Sequence, residues 1–230
     1  MKLLFGICLF LWFAFPTSLE AEERGTNIRS GLFNIEGLTL SDSITFDAET
    51  AARNEIDLKA PFRISVPRDP YVARNIFANP TGGALVGIMF RRAQDQTGTD
   101  ADLLEHVQIT GARIPMAEQL DPQGPTRLQL AGQMARDMAF PHMVAEKEGA
   151  ELLDVSFLRL GEIDAVQVVG RHLEPEIGPV LIRIVIVPHP DQVESLMIVA
   201  RINLANVPVT DQETLEASLS GRVISSWEYR

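Results

Sequence analysis

The residues best suited to proton transfer or metal ligation are four histidines, His106, His142, His172 and His189. No two of them stand at i, i+4 and no His-Glu-x-x-His occurs, so their spacing offers no zinc site on one helix face. They read as structural or solvated side chains. A nucleophile elbow, a phosphate loop and a dinucleotide fingerprint are also lacking. The single cysteine, Cys8, lies in an apolar run at the start of the chain. A chain beginning near Glu22 would therefore hold no thiol for a disulfide, a metal or a covalent intermediate. The stretch Asp95–Glu105 carries four carboxylates, and hard cations such as calcium take carboxylate oxygens. Its spacing misses the EF-hand loop, because Gly98 has no acid five positions before it. It reads as an exposed acidic loop in which Asp100 or Asp102 caps a short helix. No metal and no cofactor is expected.

Three arginines, Arg171, Arg183 and Arg201, could do chemistry together only if strands bring them together. A hairpin centred near Ile177 would set Arg171 opposite Arg183, and one centred near Gln192 would set Arg183 opposite Arg201. Directly opposed residues share a face, so the guanidiniums would form a row across strands ~4.8 Å apart. Two readings stay open. Acids such as Glu174, Glu176, Glu194 or Glu213 neutralise the row, or it binds an anion through forked donors. A one-residue change of register would send neighbouring arginines to opposite faces and remove the site.

The elements that would position them follow from patterning. Phe62, Ile64 and Val66 alternate with polar residues after Ala60-Pro61, and Ala84–Phe90 is a second apolar run, which predicts two strands. Pro125–Phe140 reads as a helix with Leu128, Ala131, Ala135 and Met138 on one stripe, closed by Pro141. Four strands, at 153–159, 164–173, 180–187 and 196–204, have connections too short for parallel crossovers, so they form an antiparallel meander. Thr210-Asp211-Gln212-Glu213 is a capping box for a last helix with Leu215, Leu219, Val223 and Trp227 recurring every fourth residue. The fold class is α+β, an antiparallel meander sheet packed with helices.

This order of elements, from the Phe-x-Ile-x-Val-Pro strand at Phe62 to the ending Val223-Ile224-Ser225-Ser226-Trp227-Glu228-Tyr229, resembles the PsbP-like alpha-beta-alpha fold group, which includes bacterial DcrB-like envelope proteins. The resemblance covers roughly Ala60 to Tyr229. It implies an adaptor, assembly factor or extrinsic subunit and no catalytic residues.

Charge and the N-terminus bear on compartment and partner. Asp plus Glu is 31 against 20 Lys plus Arg, a formal charge of -11, so no basic face exists to hold nucleic acid. Lys2 followed by the apolar run Leu3–Phe15 and then Pro16–Ala21 reads as an export signal, too short to span a bilayer of ~30 Å. Residues 1–21 are expected to be cleaved, residues 22–59 to form a polar arm, and residues 60–230 to form one α+β domain without a membrane span. Glu146–Glu176 holds eight acids against Lys147, Arg159 and Arg171, an acidic face that is solvated or meets a basic partner. These features together predict an exported periplasmic protein that binds another envelope protein and performs no chemistry. The alternative is an enzyme or small-ligand receptor with a pocket beside the sheet. Convergent His, Asp or Glu in a pocket favours the alternative, and a closed core with an exposed apolar patch favours the binding protein.

Overall fold

The computed structural model describes residues 33–34, 43–54, 56–58, 60–79, 84–93 and 103–230. The expected export signal and most of the acidic loop lie outside the described residues. The elements in order are β1 (Phe33–Asn34), β2 (Ser43–Phe46), α1 (Ala48–Arg53), β3 (Phe62–Ser65), β4 (Val72–Asn79), β5 (Ala84–Arg92) and β6 (Leu103–Arg113). There follow α2 (Arg127–Met134), a π-wound segment (Ala135–Ala139) and α3 (Phe140–Met143). The chain ends with β7 (Glu148–Leu160), β8 (Ile163–Glu174), β9 (Gly178–Val187), β10 (Glu194–Asn203), α4 (Gln212–Ala217), α5 (Leu219–Ser225) and β11 (Glu228–Tyr229).

Eight strands form one antiparallel sheet in the order β1-β4-β5-β6-β10-β9-β8-β7. The four-strand meander is β7 to β10, and it places β10 beside β6 at the centre. The segment α2–α3 therefore leads across the sheet from β6 toward the far edge, packing on β8 and β9, before the meander runs back. In β9 every residue from Val180 to Val187 is buried, because both faces of the sheet are covered and its β-branched side chains suit a pleated surface packed from both sides. One face carries α2–α3, with Ala131, Ala135 and Phe140 packed on Val166, Val168, Ile182 and Ile184. The other carries a small sheet of order β11-β3-β2 together with α1, α4 and α5. There Phe62 stacks between Phe46 and Trp227, at 5.5 and 4.5 Å between ring centroids.

Several expectations are corrected. The arm expected at 22–59 is built into the domain over its second half, since Ile44, Phe46, Ala51 and Ile56 are buried in the same core as Phe62 and Trp227. The strand β2 completes the small sheet through Phe46 opposite Phe62, which a detached arm would leave without an edge. Pro141 does not close the middle helix. Proline lacks an N–H and its ring crowds the carbonyl one turn back, and the π-wound turn before it opens the winding enough for the helix to continue to Met143. The wider turn also moves the buried stripe from Ala135 to Phe140, and Met138 is left 43% exposed. Phe140 seats on Gly170, where a Cβ would come within 2.1 Å of its ring, so the helix approaches β8 only because that position has no side chain.

The last helix is two helices. Asp211, not Thr210, caps α4 by accepting from the Thr214 amide at 2.8 Å. Ser218 is extended (ψ 163), ends α4 and caps α5. The cause lies on β6. The buried carboxylate of Glu105 accepts from the amides of Leu219 at 2.9 Å and Ser220 at 2.7 Å, the first N–H groups of α5. Those donors have no partner inside the helix, and an anion there also meets the favourable end of the helix dipole. The expected effect of Glu105→Ala is a loss of about 2–4 kcal/mol in urea unfolding, because two buried N–H groups lose a charged acceptor. A loss under about 0.5 kcal/mol would show that α5 docks by its apolar side chains alone.

Candidate functional site

The sheet register separates the three arginines. Arg171 lies opposite Leu181 and Arg183 opposite Val169, so these two share a face but sit diagonally. Arg183 lies opposite Ala200 while Arg201 lies opposite Ile182, so Arg201 projects from the other face. The register between β9 and β10 is one residue from the expected one, and the row does not form. Each arginine has its own carboxylate. Arg171 meets Glu151 at 2.6 Å on the surface, an exposed pair worth at most about 1 kcal/mol. Arg201 meets Glu174 at 2.6 Å.

Arg183 is completely buried under α4. Its Nε donates to Gln167 Oε1 at 2.9 Å and its Nη2 to Glu216 Oε1 at 2.7 Å, and Nη1 has no hydrogen-bond partner among the described residues. Gln167 donates in turn to Ser156 Oγ at 3.0 Å, and Ser156 donates to Asp154 Oδ2 at 2.6 Å. A polar chain thus runs from α4 across one face of the sheet to β7.

On the face of α2 a second cluster forms at the end of the meander. Glu174 Oε1 accepts from Arg201 and lies 2.9 Å from His172 Nε2 and 3.2 Å from Lys147. Burial works against the Glu174 carboxylate, yet the His172 hydrogen bond and the charges of Arg201 and Lys147 hold it below the usual range. Burial pushes His172 down against the pull of Glu174. His106 lies directly opposite Arg201 on β6 and is stacked on Phe77, with its Nε2 unpartnered among the described residues. Burial, then the positive charges of Arg201 and Arg91, push it down to about 3. Among the described residues no His, Cys, Asp and Glu gather as a metal site. A shallow, open cavity of about 320 Å³ is lined by Asp69, Tyr71, Val72, Arg92, Ala93 and Leu104, and no histidine converges on it.

The unusual surface lies at the end of the sheet. β7 is its outermost strand, 13 residues long, and is exposed from Glu148 through Val155. Seven large apolar side chains are exposed among the described residues; four stand on β7, Leu152, Leu153, Val155 and Phe157, and Leu173 stands on the adjoining β8. A sixth, Met138, stands on the helical segment that covers the neighbouring strands. The two faces of β7 differ. Leu152, Val155 and Phe157 pair with Gly170, Val168 and Val166 and so share the face of α2, whereas Glu151, Asp154 and Ser156 pair with Arg171, Val169 and Gln167 on the face of α4. Leu153 is the extra residue of a bulge between these two registers. Phe157 is 64% exposed.

No family model matches the sequence, and none of the curated proteins matches it. Among solved structures the chain is similar to cyanobacterial PsbP from Synechocystis. That likeness has 12% identity and a TM-score of 0.46, over 84% of this chain and 96% of that one. It is also similar to LpqN of Mycobacterium tuberculosis, described as involved in cell envelope biogenesis, with 14% identity and a TM-score of 0.43 over 81% and 90% of the two chains. A third likeness is to the Ran-binding protein Mog1p of Saccharomyces cerevisiae, with 10% identity and a TM-score of 0.34 over 73% and 89%. The PsbP-like resemblance read from the order of elements recurs here. With TM-scores under 0.5, these likenesses carry over no function.

Two outcomes follow from the buried charges. Arg183→Met leaves Glu216 without its cation, and because that carboxylate is 37% exposed and can rehydrate, the loss should be about 2–3 kcal/mol in urea unfolding. Equal or higher stability would mean that the buried ion pair contributes nothing net. For His106, the folded value of about 3 lies below the ordinary 6.5, so the unfolded chain binds the proton first as pH falls. Its contribution is complete above pH 6.5 and is lost between 6.5 and about 3. Between about pH 7.5 and about pH 5 the parent should lose about 2 kcal/mol more than His106→Gln, and parallel losses would contradict this.

Proposed function

We propose that the protein is an exported, periplasmic, non-enzymatic binding or assembly protein that acts on another envelope component. The observation that carries this reading is the apolar stripe of β7. Leu152, Leu153, Val155 and Phe157 stand exposed on an edge strand while the cores on both faces of the same sheet are closed. Apolar side chains gathered on one surface and rimmed by charge mark contact sites in soluble proteins, where isolated exposed residues carry no such meaning. The apolar run Leu3–Phe15 after Lys2 supports export, and no described helix is long and apolar enough to cross a membrane. In this reading residues 1–21 are removed and the domain meets its partner in the periplasm. The Arg183, Glu105 and Glu174 charges hold the fold together and take no part in chemistry.

A photo-crosslinking residue placed at Phe157, and a second at the exposed Glu118 as control, test this in intact cells. The expected outcome is a discrete adduct with an envelope protein from position 157 and none from 118, with the chain recovered in the periplasmic fraction lacking its first residues. A chain retained in the cytosol, or the absence of any adduct from sites placed around the whole surface, would contradict the proposal.

A further inference from the structure

The open side of β7 has the properties of a docking edge. No described strand pairs it, and from Glu148 to Leu160 it contains neither lysine nor proline, two residues that commonly blunt exposed edges. The bulge at Leu153 interrupts the strand on one side, and beyond it Asp154 to Leu160 pair with β8 in unbroken register from Val169 to Ile163. Seven regular residues are the usual length of a strand. At the other end of the described sheet stands β1, described over Phe33–Asn34.

We propose that the free edge of β7 takes up an extended segment of another protein as a ninth strand, and that this segment alternates apolar and basic residues. The inference deepens the reading of the chain as a binding protein and rests on it. Residues opposite one another in neighbouring strands share a face. A strand added beside β7 therefore presents every second side chain to Val155, Phe157 and Arg159, on the side of α2, and the others to Asp154, Ser156 and Leu158, with Glu151 on that same side beyond the bulge. The first set must be apolar to cover Val155 and Phe157. The second meets the Asp154 carboxylate at one end, and the acidic residues around the edge favour basic side chains there.

Charge decides between a foreign strand and a second copy. From Glu146 to Glu176 the chain holds eight acids and three bases, and two of the bases are engaged within this region, Lys147 with Glu174 and Arg171 with Glu151. Two copies joined along β7 would bring these acidic surfaces together at strand spacing, where like charges repel. A basic strand instead gains from the same field. Main-chain hydrogen bonds to the open edge then give affinity, and the alternating side chains give selectivity.

The test uses the mature chain and a fluorescent ten-residue peptide alternating valine and lysine, followed by anisotropy. Three further peptides dissect the binding. One has the same composition in two blocks, one alternates valine with glutamate, and one is N-methylated at alternate residues so that one edge has no amide donors. The alternating valine–lysine peptide should bind, with the other three at least about tenfold weaker. Asp154→Lys and Phe157→Asp, both at exposed positions, should each weaken binding about tenfold with unchanged circular dichroism, while Glu118→Lys, the same charge change elsewhere, leaves it intact. Equal binding of the block or N-methylated peptide would overturn the proposal, since charge alone would then account for it. So would unaltered binding in both β7 variants, or no binding of any peptide. Sedimentation of a dimer that Phe157→Asp dissociates would assign the edge to a second copy and overturn it too. A cellular adduct mapped to another surface, with no peptide binding, would leave the binding function standing and remove only the edge.

Discussion

An open antiparallel sheet has two edges, and the rest of this structure follows from how differently the chain treats them. At one end the sheet stops on β1, which is two residues long. At the other it stops on β7, thirteen residues whose outer backbone groups face no described strand. A barrel would remove both edges, and a covering helix would hide one. Here α2–α3, the only long helical segment among the described residues, is committed to the face of the meander, where Phe140 sits on Gly170 one strand inside the edge. The helix stops short of β7, so the apolar side chains of β7 on that face are left in solvent. The same placement that closes one core produces the exposed stripe.

The opposite face shows why the sheet can tolerate such an edge. Its cover is assembled from both ends of the described chain, with β2 and α1 from one side and α4, α5 and β11 from the other meeting over β6 and β10. Two buried charges tie this cover down. Glu105 holds the start of α5, and Arg183 holds α4 through Glu216. Both pairs are local to the C-terminal segment, and their loss should loosen that cover without altering the strand order. The polar chain from Glu216 through Arg183, Gln167 and Ser156 to Asp154 ends on β7, so the acidic side of the edge is positioned by contacts that begin beneath α4.

The meander was legible in the sequence because β-branched runs between short polar turns leave little choice, and the strand bounds agree within a few residues. Its exact register was not. A difference of one residue in register across the turn after Val187, where Pro188, His189 and Pro190 set the path, moved Arg201 to the other face, and strands with apolar residues buried on both faces carry no alternating pattern that could have fixed it. β4 and β6 were missed. In β6, Glu105 reads as the end of the exposed acidic loop and His106 as a structural or solvated histidine, and only the folded chain shows that one caps α5 and the other stacks on Phe77. The break at Ser218 was hidden for the same reason, since its cause is an acid more than a hundred positions away. The exposed edge had a visible signal, the acids and apolar residues mixed in Glu148–Leu160, but those residues look like any half-buried strand until the sheet order places them last.

The central claim is that the edge of β7 is open in the protein alone. Residue-resolved amide hydrogen exchange measures this directly. From Asp154 to Arg159 the amides should alternate, those turned toward β8 protected and those turned outward exchanging near the rate of an unstructured chain. Uniform protection along this stretch in the isolated protein would contradict the account, because it would mean that the edge is already covered.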